Sequence, residues 1–104
     1  MFRFSTIKDY HTALQNGQTT CVEAVRFYID RIQADQRLNA WLEVYAEEAL
    51  AAAASMDKER SSNQLLLPLH GVVIGLKDVI CYKDHRVSAS SRMLDGFVSV
   101  YHAT

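Results

Sequence analysis

One apolar run limits the folds open to this chain more than any other feature of its sequence. It extends from Val72 to Leu76, between Gly71 and Lys77, and contains no polar side chain. A strand with this composition would bury both of its faces, which is typical of a central strand covered by helices on two sides. The sequence therefore predicts an α/β fold.

Composition and charge narrow the classes of protein further. The chain has 104 residues, of which 49% are hydrophobic, and its 11 Lys and Arg against 12 Asp and Glu give a formal charge of −1. An autonomous nucleic-acid binder would show a basic patch, so that class is not favoured. A chain of this length has too few helices to cover both faces of a central strand. We therefore expect residues 1–104 to be one piece of a larger α/β fold.

The sequence predicts neither a secretory signal nor a membrane span. Its first residues lack the apolar region of a signal peptide, and no stretch approaches the roughly 18 uncharged apolar residues of a membrane helix. The two cysteines, Cys21 and Cys81, form neither a CxxC pair nor a disulfide framework. We expect both to be plain free thiols, buried or half-buried, in a reduced cytoplasmic setting.

Two helices are predicted over residues 1–38, packed as a hairpin. Ser5 is the expected N-cap of the first helix, and Gly17 stands where a left-handed residue would end it. Thr20 and Glu23 have the spacing of a capping box at the start of the second helix. An apolar stripe then recurs at helical spacing to about Gln36, formed by Val22, Val25, Ile29 and Ile32.

Residues 39–104 are predicted to hold the first strands of the sheet and one further helix. That helix covers residues 46–60, which are rich in alanine, with acids in the first turn and bases in the last, as the helix dipole favours. A short β-prone run, 41–45, precedes it, and a polar connector, 61–64, follows it. The alanines would allow this helix to approach the sheet closely.

Two motif-like patterns have simple structural explanations. Ser5 and Lys8 have the SxxK spacing of serine acyl-enzymes, but a capping serine and a surface lysine explain the match. The glycines on either side of 72–74 resemble a phosphate-binding loop. The loop's Gly-Lys-Ser/Thr ending is missing, however, and Asp78 would repel phosphate.

Scattered polar side chains in the last third of the chain suggest no assembled site by themselves. The candidate metal ligands are His70, Cys81, Asp84, His85 and His102. They lack the spacing of a helical zinc motif, so loop histidines are the better explanation. The candidate nucleophiles are Ser88, Ser90 and Ser91. With no assigned base or oxyanion loop, their polarity fits a solvated loop.

Lys77 is a different kind of candidate, because it ends the apolar run. Ligand sites form at the carboxyl ends of strands in open α/β sheets. A lysine desolvated at such a place has a lowered pKa and can act as a base. The residues also allow an ordinary alternative, in which Lys77 extends to solvent or pairs with Asp78.

The segment 69–80 resembles the lysine-bearing strand of the amidase-signature family. The resemblance continues through the family's serine-rich loop at 88–94, then Gly96-Phe97, and then Tyr101-His102-Ala103-Thr104 at the start of an expected helix. The sequence departs from the family pattern at three positions. These are Val73 for the usual proline, Val79 for asparagine and His102 for aspartate or serine.

This resemblance implies that residues 1–104 are an N-terminal piece of the family's α/β/α sandwich. It also implies a serine–cis-serine–lysine triad in which Lys77 matches the lysine. The two serines lie past residue 104 in the family, and Ser88, Ser90 and Ser91 do not match them, so the chain alone is expected to be inactive. The layout is most similar to members that release ammonia from glutamine to amidate glutamyl-tRNA. The implied cofactors are ATP and Mg²⁺, held by other subunits and not by this chain.

The implied partners are those other subunits, with tRNA contacts outside this segment and no membrane. An unpaired strand over 72–76 would also favour self-association. Two alternatives stay open. One is a piece of a stand-alone hydrolase of small amides from the same family, and the other is an independent helical interaction module.

Overall fold

The computed structural model describes residues 3–60 and 66–104. Its helices are α1 (Ile7–Gln15), α2 (Cys21–Ala34) and α3 (Ala46–Arg60), with short 3-10 turns at Gln36–Leu38 and Arg92–Leu94. The connector predicted over 61–64 lies outside the described residues. The chain divides into two compact units, residues 1–73 and 74–104. No helix in the described part of the chain has the length and apolar character needed to cross a membrane.

Helix α1 begins one residue later than the sequence predicts. Thr6, not Ser5, is its N-cap, and the Thr6 hydroxyl accepts a hydrogen bond from the Asp9 N–H over 3.0 Å. At the other end Gly17 has a φ of +71°. The N–H of Gly17 donates to the Leu14 carbonyl, and the N–H of Gln18 donates to the Ala13 carbonyl. These two bonds form a Schellman motif, which confirms Gly17 as the residue that ends the helix.

Helix α2 begins with half of the predicted capping box. The Glu23 N–H donates to the Thr20 hydroxyl over 3.1 Å, so Thr20 is the N-cap. The Glu23 carboxylate accepts a hydrogen bond from the Thr19 hydroxyl over 3.0 Å. Asp57, on α3, supplies the remaining acceptors for the first turn. Its two oxygens accept from the N–H groups of Cys21 and Val22 over 2.8 and 3.2 Å.

Helix α3 has the bounds that the sequence predicts, with Glu47 and Glu48 in its first turn and Lys58 and Arg60 in its last. It packs mainly against α2, and the described residues form no sheet for it to cover. All three helices contribute to one core, whose buried members are Tyr10, Leu14, Cys21, Ala24, Val25 and Ala53. The predicted stripe on α2 is therefore displaced, because Cys21 and Ala24 are buried more deeply than Val22, Ile29 and Ile32.

The predicted strand over 72–76 is not formed, nor is one over 41–45. A strand exists only with a neighbour that completes its ladder of hydrogen bonds. Among the described residues, no segment pairs with 72–76, and the side chain of Ile74 is 68% exposed. The α/β expectation therefore needs correction, because the described part of the chain is mostly helical and contains no strand. The only β-pairing of the described residues is an isolated antiparallel bridge between Arg86 and Val98.

Residues 74–104 are organised around that bridge. The Asp84 N–H donates to the Ser99 carbonyl over 2.8 Å, and the Ser99 N–H donates to the His85 carbonyl over 3.0 Å. The Val87 N–H donates a longer hydrogen bond, of 3.3 Å, to the Phe97 carbonyl. Val87 and Ser99 are the buried side chains in the centre of this pairing. It fixes the loop that leads to the candidate site.

Candidate functional site

Lys77 is the first residue of a tight turn in the second unit. Its carbonyl accepts a hydrogen bond from the Ile80 N–H over 2.9 Å, which closes the turn 77–80. The Lys77 side chain is exposed. A lysine that acts as a base needs a desolvated amine. The described residues do not supply that desolvation, so the catalytic role of Lys77 stays a prediction.

Asp78, the next residue, is bound by a loop ten residues further along the chain. Its Oδ1 accepts a hydrogen bond from the Ser88 N–H over 3.1 Å, and its Oδ2 accepts from the Ser88 hydroxyl. The Asp78 carbonyl accepts from the Ala89 N–H over 2.9 Å. The Ser88 hydroxyl, together with backbone N–H groups of the loop, holds the pKa of the Asp78 carboxyl below its usual range. Asp78 is therefore a charged acceptor at neutral pH.

The loop bound by Asp78 is a turn from Ser88 to Ser91, here called the serine turn. The Ser91 N–H donates to the Ser88 carbonyl over 2.8 Å, and the two central residues, Ala89 and Ser90, have φ values of +49° and +60°. Left-handed backbone costs a residue other than glycine about 1–2 kcal/mol. Strained backbone of this kind clusters at functional sites. The sequence predicts only a polar loop for these serines, because composition carries no signal of strain.

The candidate metal ligands do not form a site. Within residues 3–60 and 66–104 no group of three or more His, Cys, Asp or Glu side chains could hold a metal ion. His85 stacks on Tyr82, with ring centroids 4.1 Å apart and planes inclined by 12°. His102 accepts a hydrogen bond from the Lys83 N–H over 3.2 Å. Cys81 is a half-buried free thiol.

The first unit contains a well-packed anchor that the sequence did not reveal. The Tyr10 hydroxyl donates to the Gly71 carbonyl over 3.0 Å, and His11 Nε2 lies 2.8 Å from the His70 carbonyl oxygen. A Cβ at Gly71 would lie 2.6 Å from Cys21 Sγ. The backbone at 70–71 is thus fixed to α1 and crowded by α2. Gly71 is therefore a packing position, where a larger residue would meet Cys21 and Tyr10.

Comparison with known proteins assigns the family. The family model described as "Amidase" matches residues 23–104. The chain belongs to the amidase family. The match includes Lys77, Asp78 and the serine turn, which confirms the resemblance seen in the sequence.

Similar curated proteins share one name, the A subunit of glutamyl-tRNA(Gln) amidotransferase. The protein from Chloroflexus aggregans is 42% identical over 102 residues, which cover 97% of this chain and 21% of the relative. The protein from Thermobifida fusca is 41% identical over 93 residues, 88% of this chain and 19% of the relative. That from Geobacter sp. strain M21 is 38% identical over 100 residues, 95% of this chain and 20% of the relative. The chain therefore spans about a fifth of the length of these amidase-family relatives.

Proposed function

We propose that this chain forms the lysine-bearing part of the A subunit of a glutamyl-tRNA(Gln) amidotransferase. The observation that carries the proposal is 42% identity over 97% of the chain to a relative of that name. An alternative parent, a stand-alone hydrolase of small amides, has no comparable support among the relatives described above. An independent helical interaction module is disfavoured by the family match over 23–104.

In the proposed mechanism Lys77 supplies the base. A neutral Lys77 amine accepts a proton through the cis-serine, and the nucleophilic serine then attacks the amide carbon of glutamine. Lys77 returns this proton through the cis-serine to the leaving nitrogen as the C–N bond breaks, and ammonia leaves. Water then hydrolyses the acyl-enzyme to glutamate, which regenerates the serine. ATP and Mg²⁺, bound by another subunit, would activate the side-chain carboxyl of glutamyl-tRNA by phosphorylation, and phosphate would leave as ammonia forms the new C–N bond. The lysine must lose its contact with water for this role, so we propose that the remaining four-fifths of the subunit covers Lys77.

The same proposal says which partners the chain has and which functions belong to other parts of the complex. The two triad serines, the ATP and Mg²⁺ site and the tRNA surface belong to other parts of the complex, which acts in the cytoplasm. The chain alone is therefore inactive. The near-zero net charge agrees with a tRNA surface elsewhere. In the complete sandwich, residues 72–76 gain strand neighbours; without them, their exposed apolar side chains favour self-association.

The experiment that tests this function is a graft. The 102 matched residues of the Chloroflexus aggregans relative are replaced by those of this chain, and the purified complex is assayed for ammonia release from glutamine. We expect activity with Lys77, and a loss of about 10²–10⁴-fold in Lys77→Ala, the range for removal of a general base. Lys83→Ala, which changes another exposed lysine in the same unit, is the matched control and should keep full activity.

Two outcomes would contradict the proposal. Near-full activity in Lys77→Ala, with a melting temperature equal to that of the unsubstituted graft, would remove Lys77 from the site. Efficient hydrolysis of a simple amide such as propionamide by the grafted protein without its partner subunits, with no preference for glutamine, would favour the small-amide hydrolase. Isolated chain, without the rest of the subunit, serves as the inactive reference.

A further inference from the structure

The serine turn is held in a conformation that its own residues disfavour. Ala89 and Ser90 both have positive φ values, although neither is glycine. Turns with this backbone are dominated by glycine, which lacks a Cβ, and by asparagine and aspartate, whose short polar side chains tolerate the left-handed region. Some contact outside the turn must therefore favour it. The structure provides that contact at Asp78, which accepts the Ser88 N–H, the Ser88 hydroxyl and, through its carbonyl, the Ala89 N–H.

We propose that Asp78 is a positioning residue, whose carboxylate holds the serine turn in place against the turn that carries Lys77. This inference rests on the proposed function, in which Lys77 is the base. Asp78 is bonded covalently to Lys77 and is hydrogen-bonded to Ser88. A change in the Asp78–Ser88 contact is therefore transmitted to both turns at once.

The carboxylate is better suited to this contact than its neutral isostere. Ser88 presents two donors, its N–H over 3.1 Å and its hydroxyl. A carboxylate offers an acceptor oxygen to each, whereas an asparagine offers one oxygen and an NH₂ group. Hydrogen bonds to an ionised acceptor are also shorter and stronger than neutral ones. The low pKa of Asp78 agrees with two such bonds.

The first half of the test examines the turn in the chain itself, without any assay. A residue with positive φ brings its amide proton close to its α proton, which gives a strong intraresidue NOE in Ala89 and Ser90. We expect these two signals in the unsubstituted chain and their loss in Asp78→Ala. Asp95→Ala is the matched control, because Asp95 is an exposed carboxylate of the same unit and lies outside the proposed contact. It should keep both signals.

The second half measures kinetics in the graft described above. We expect Asp78→Ala to lower kcat by about tenfold to a hundredfold, the size of a misplacement near the reacting groups. KM for glutamine should change less than about twofold, because a positioning residue does not bind the substrate. Asp95→Ala should leave both constants unchanged.

A rescue variant separates positioning from general loss of structure. Glycine adopts positive φ without steric cost. Adding Ser90→Gly to Asp78→Ala should therefore restore the strong intraresidue NOE of Ala89, the turn residue that still has a single α proton, and recover kcat by about threefold or more. A merely structural lesion would not be repaired by a glycine, which adds flexibility.

Two results would overturn the positioning role of Asp78, and a third would separate it from the proposed role of Lys77. Retention of the NOE signals in Asp78→Ala would overturn the proposal, since the turn would then stand without its contact. Loss of the signals with unchanged kcat would overturn it too, because the turn would have no part in catalysis. If Lys77→Ala is active while Asp78→Ala still lowers kcat and responds to glycine, the proposed base is wrong and the positioning role stands.

Discussion

At the scale of single residues, two glycines use the same left-handed backbone under different constraints. Gly17 has a φ of +71° and open space around the position of a Cβ. Gly71 has a φ of +68°, and a Cβ there would lie 2.6 Å from Cys21 Sγ and 2.9 Å from the Tyr10 hydroxyl oxygen. A methyl group at Gly17 therefore faces only a backbone cost, whereas one at Gly71 also meets two packed side chains.

Gly71→Ala should destabilise the chain more than Gly17→Ala. For Gly17→Ala we expect a loss of about 1 kcal/mol in the free energy of unfolding, the cost of left-handed backbone alone. For Gly71→Ala a further ~1–3 kcal/mol is expected from overpacking against Cys21 and Tyr10. Urea titrations followed by circular dichroism would measure both. Equal losses in the two variants would contradict the crowding at Gly71.

The buried thiol of Cys21 gives the chain a predictable sensitivity to alkaline pH. Cys21 is fully buried, and burial raises the pKa of its thiol from 9.0 to about 11. The folded state thus holds this proton more tightly than the unfolded state. Its contribution to stability is complete below pH 9 and is lost as the pH rises to about 11. Burial raises the Tyr10 pKa as well, which adds a loss of the same sign at higher pH.

The expected slope is roughly 1 kcal/mol of unfolding free energy per pH unit above pH 9. Urea midpoints across this range would measure it. Cys21→Ala is the control: it lowers stability at every pH through lost packing, but its decline above pH 9 should be shallower. An unchanged slope in that variant would show that another group is responsible.

At the scale of residues, the sequence predicts the helix caps, which are local, but not the long-range contacts. Gly17 and Thr20 could be placed from sequence because caps depend on residues within one helical turn. The Tyr10–Gly71 bond joins residues 61 positions apart, so it depends on tertiary packing that no local pattern encodes. The burial of Cys21 and the half-burial of Cys81 agree with the expectation for free thiols, which pack as small apolar side chains.

At the scale of elements, one side chain connects two helices. The Asp57 carboxylate, on α3, accepts from Cys21 and Val22, whose N–H groups have no partner within α2. Thr20 serves the third N–H, that of Glu23. A negative charge at this end of α2 also complements the helix dipole. The contact fixes where α3 meets the start of α2.

Asp57→Ala should therefore lower the free energy of unfolding by about 1–3 kcal/mol, since two N–H groups lose a charged acceptor. Asp57→Asn, which keeps one acceptor oxygen, should fall between Asp57→Ala and the unsubstituted chain. Asp30→Ala, on the exposed face of α2, is the control and should change stability by less than about 0.5 kcal/mol. Urea denaturation would rank the four proteins. A loss in Asp57→Ala no larger than in Asp30→Ala would contradict the bridging role.

Elements differ in how well the sequence predicts them. Helix α3 has the predicted bounds because its propensity and charge pattern lie within 46–60. The strand that the sequence predicts over 72–76 is absent from this structure, although its apolar pattern is clear. A helix completes its hydrogen bonds internally, whereas a strand depends on a neighbour that its own sequence does not provide. The exposed position of Lys77 agrees with the alternative that its sequence allows, a lysine that extends to solvent.

At the scale of the whole molecule, the two units differ in how much they bury. Residues 1–73 contain a core shared by three helices, with Leu14 and Cys21 fully buried. In the described part of 74–104, only Val87 and Ser99 are buried, around one isolated bridge. Segments with few buried apolar contacts open at low free energy. The chain should therefore be unevenly stable.

Amide hydrogen exchange should show this difference directly. We expect amides in α2 and α3 to exchange at least about a hundredfold more slowly than those of 74–104. Residues 73–76, whose N–H groups donate to no backbone carbonyl of a described residue, should be among the fastest. Val87→Ala should speed exchange at the amides of Asp84 and Ser99, which lie in its own pairing.

Strong protection at 73–76 in a monomer would contradict this picture, because it would require a strand partner within the chain. Protection that grows with protein concentration would instead reveal association through these residues, and light scattering on the same samples would show the rise in mass. In the graft, where the rest of the amidotransferase polypeptide is present, the amides of 73–76 should become slow. That change would mark the point at which the apolar run becomes the central strand that its sequence predicts.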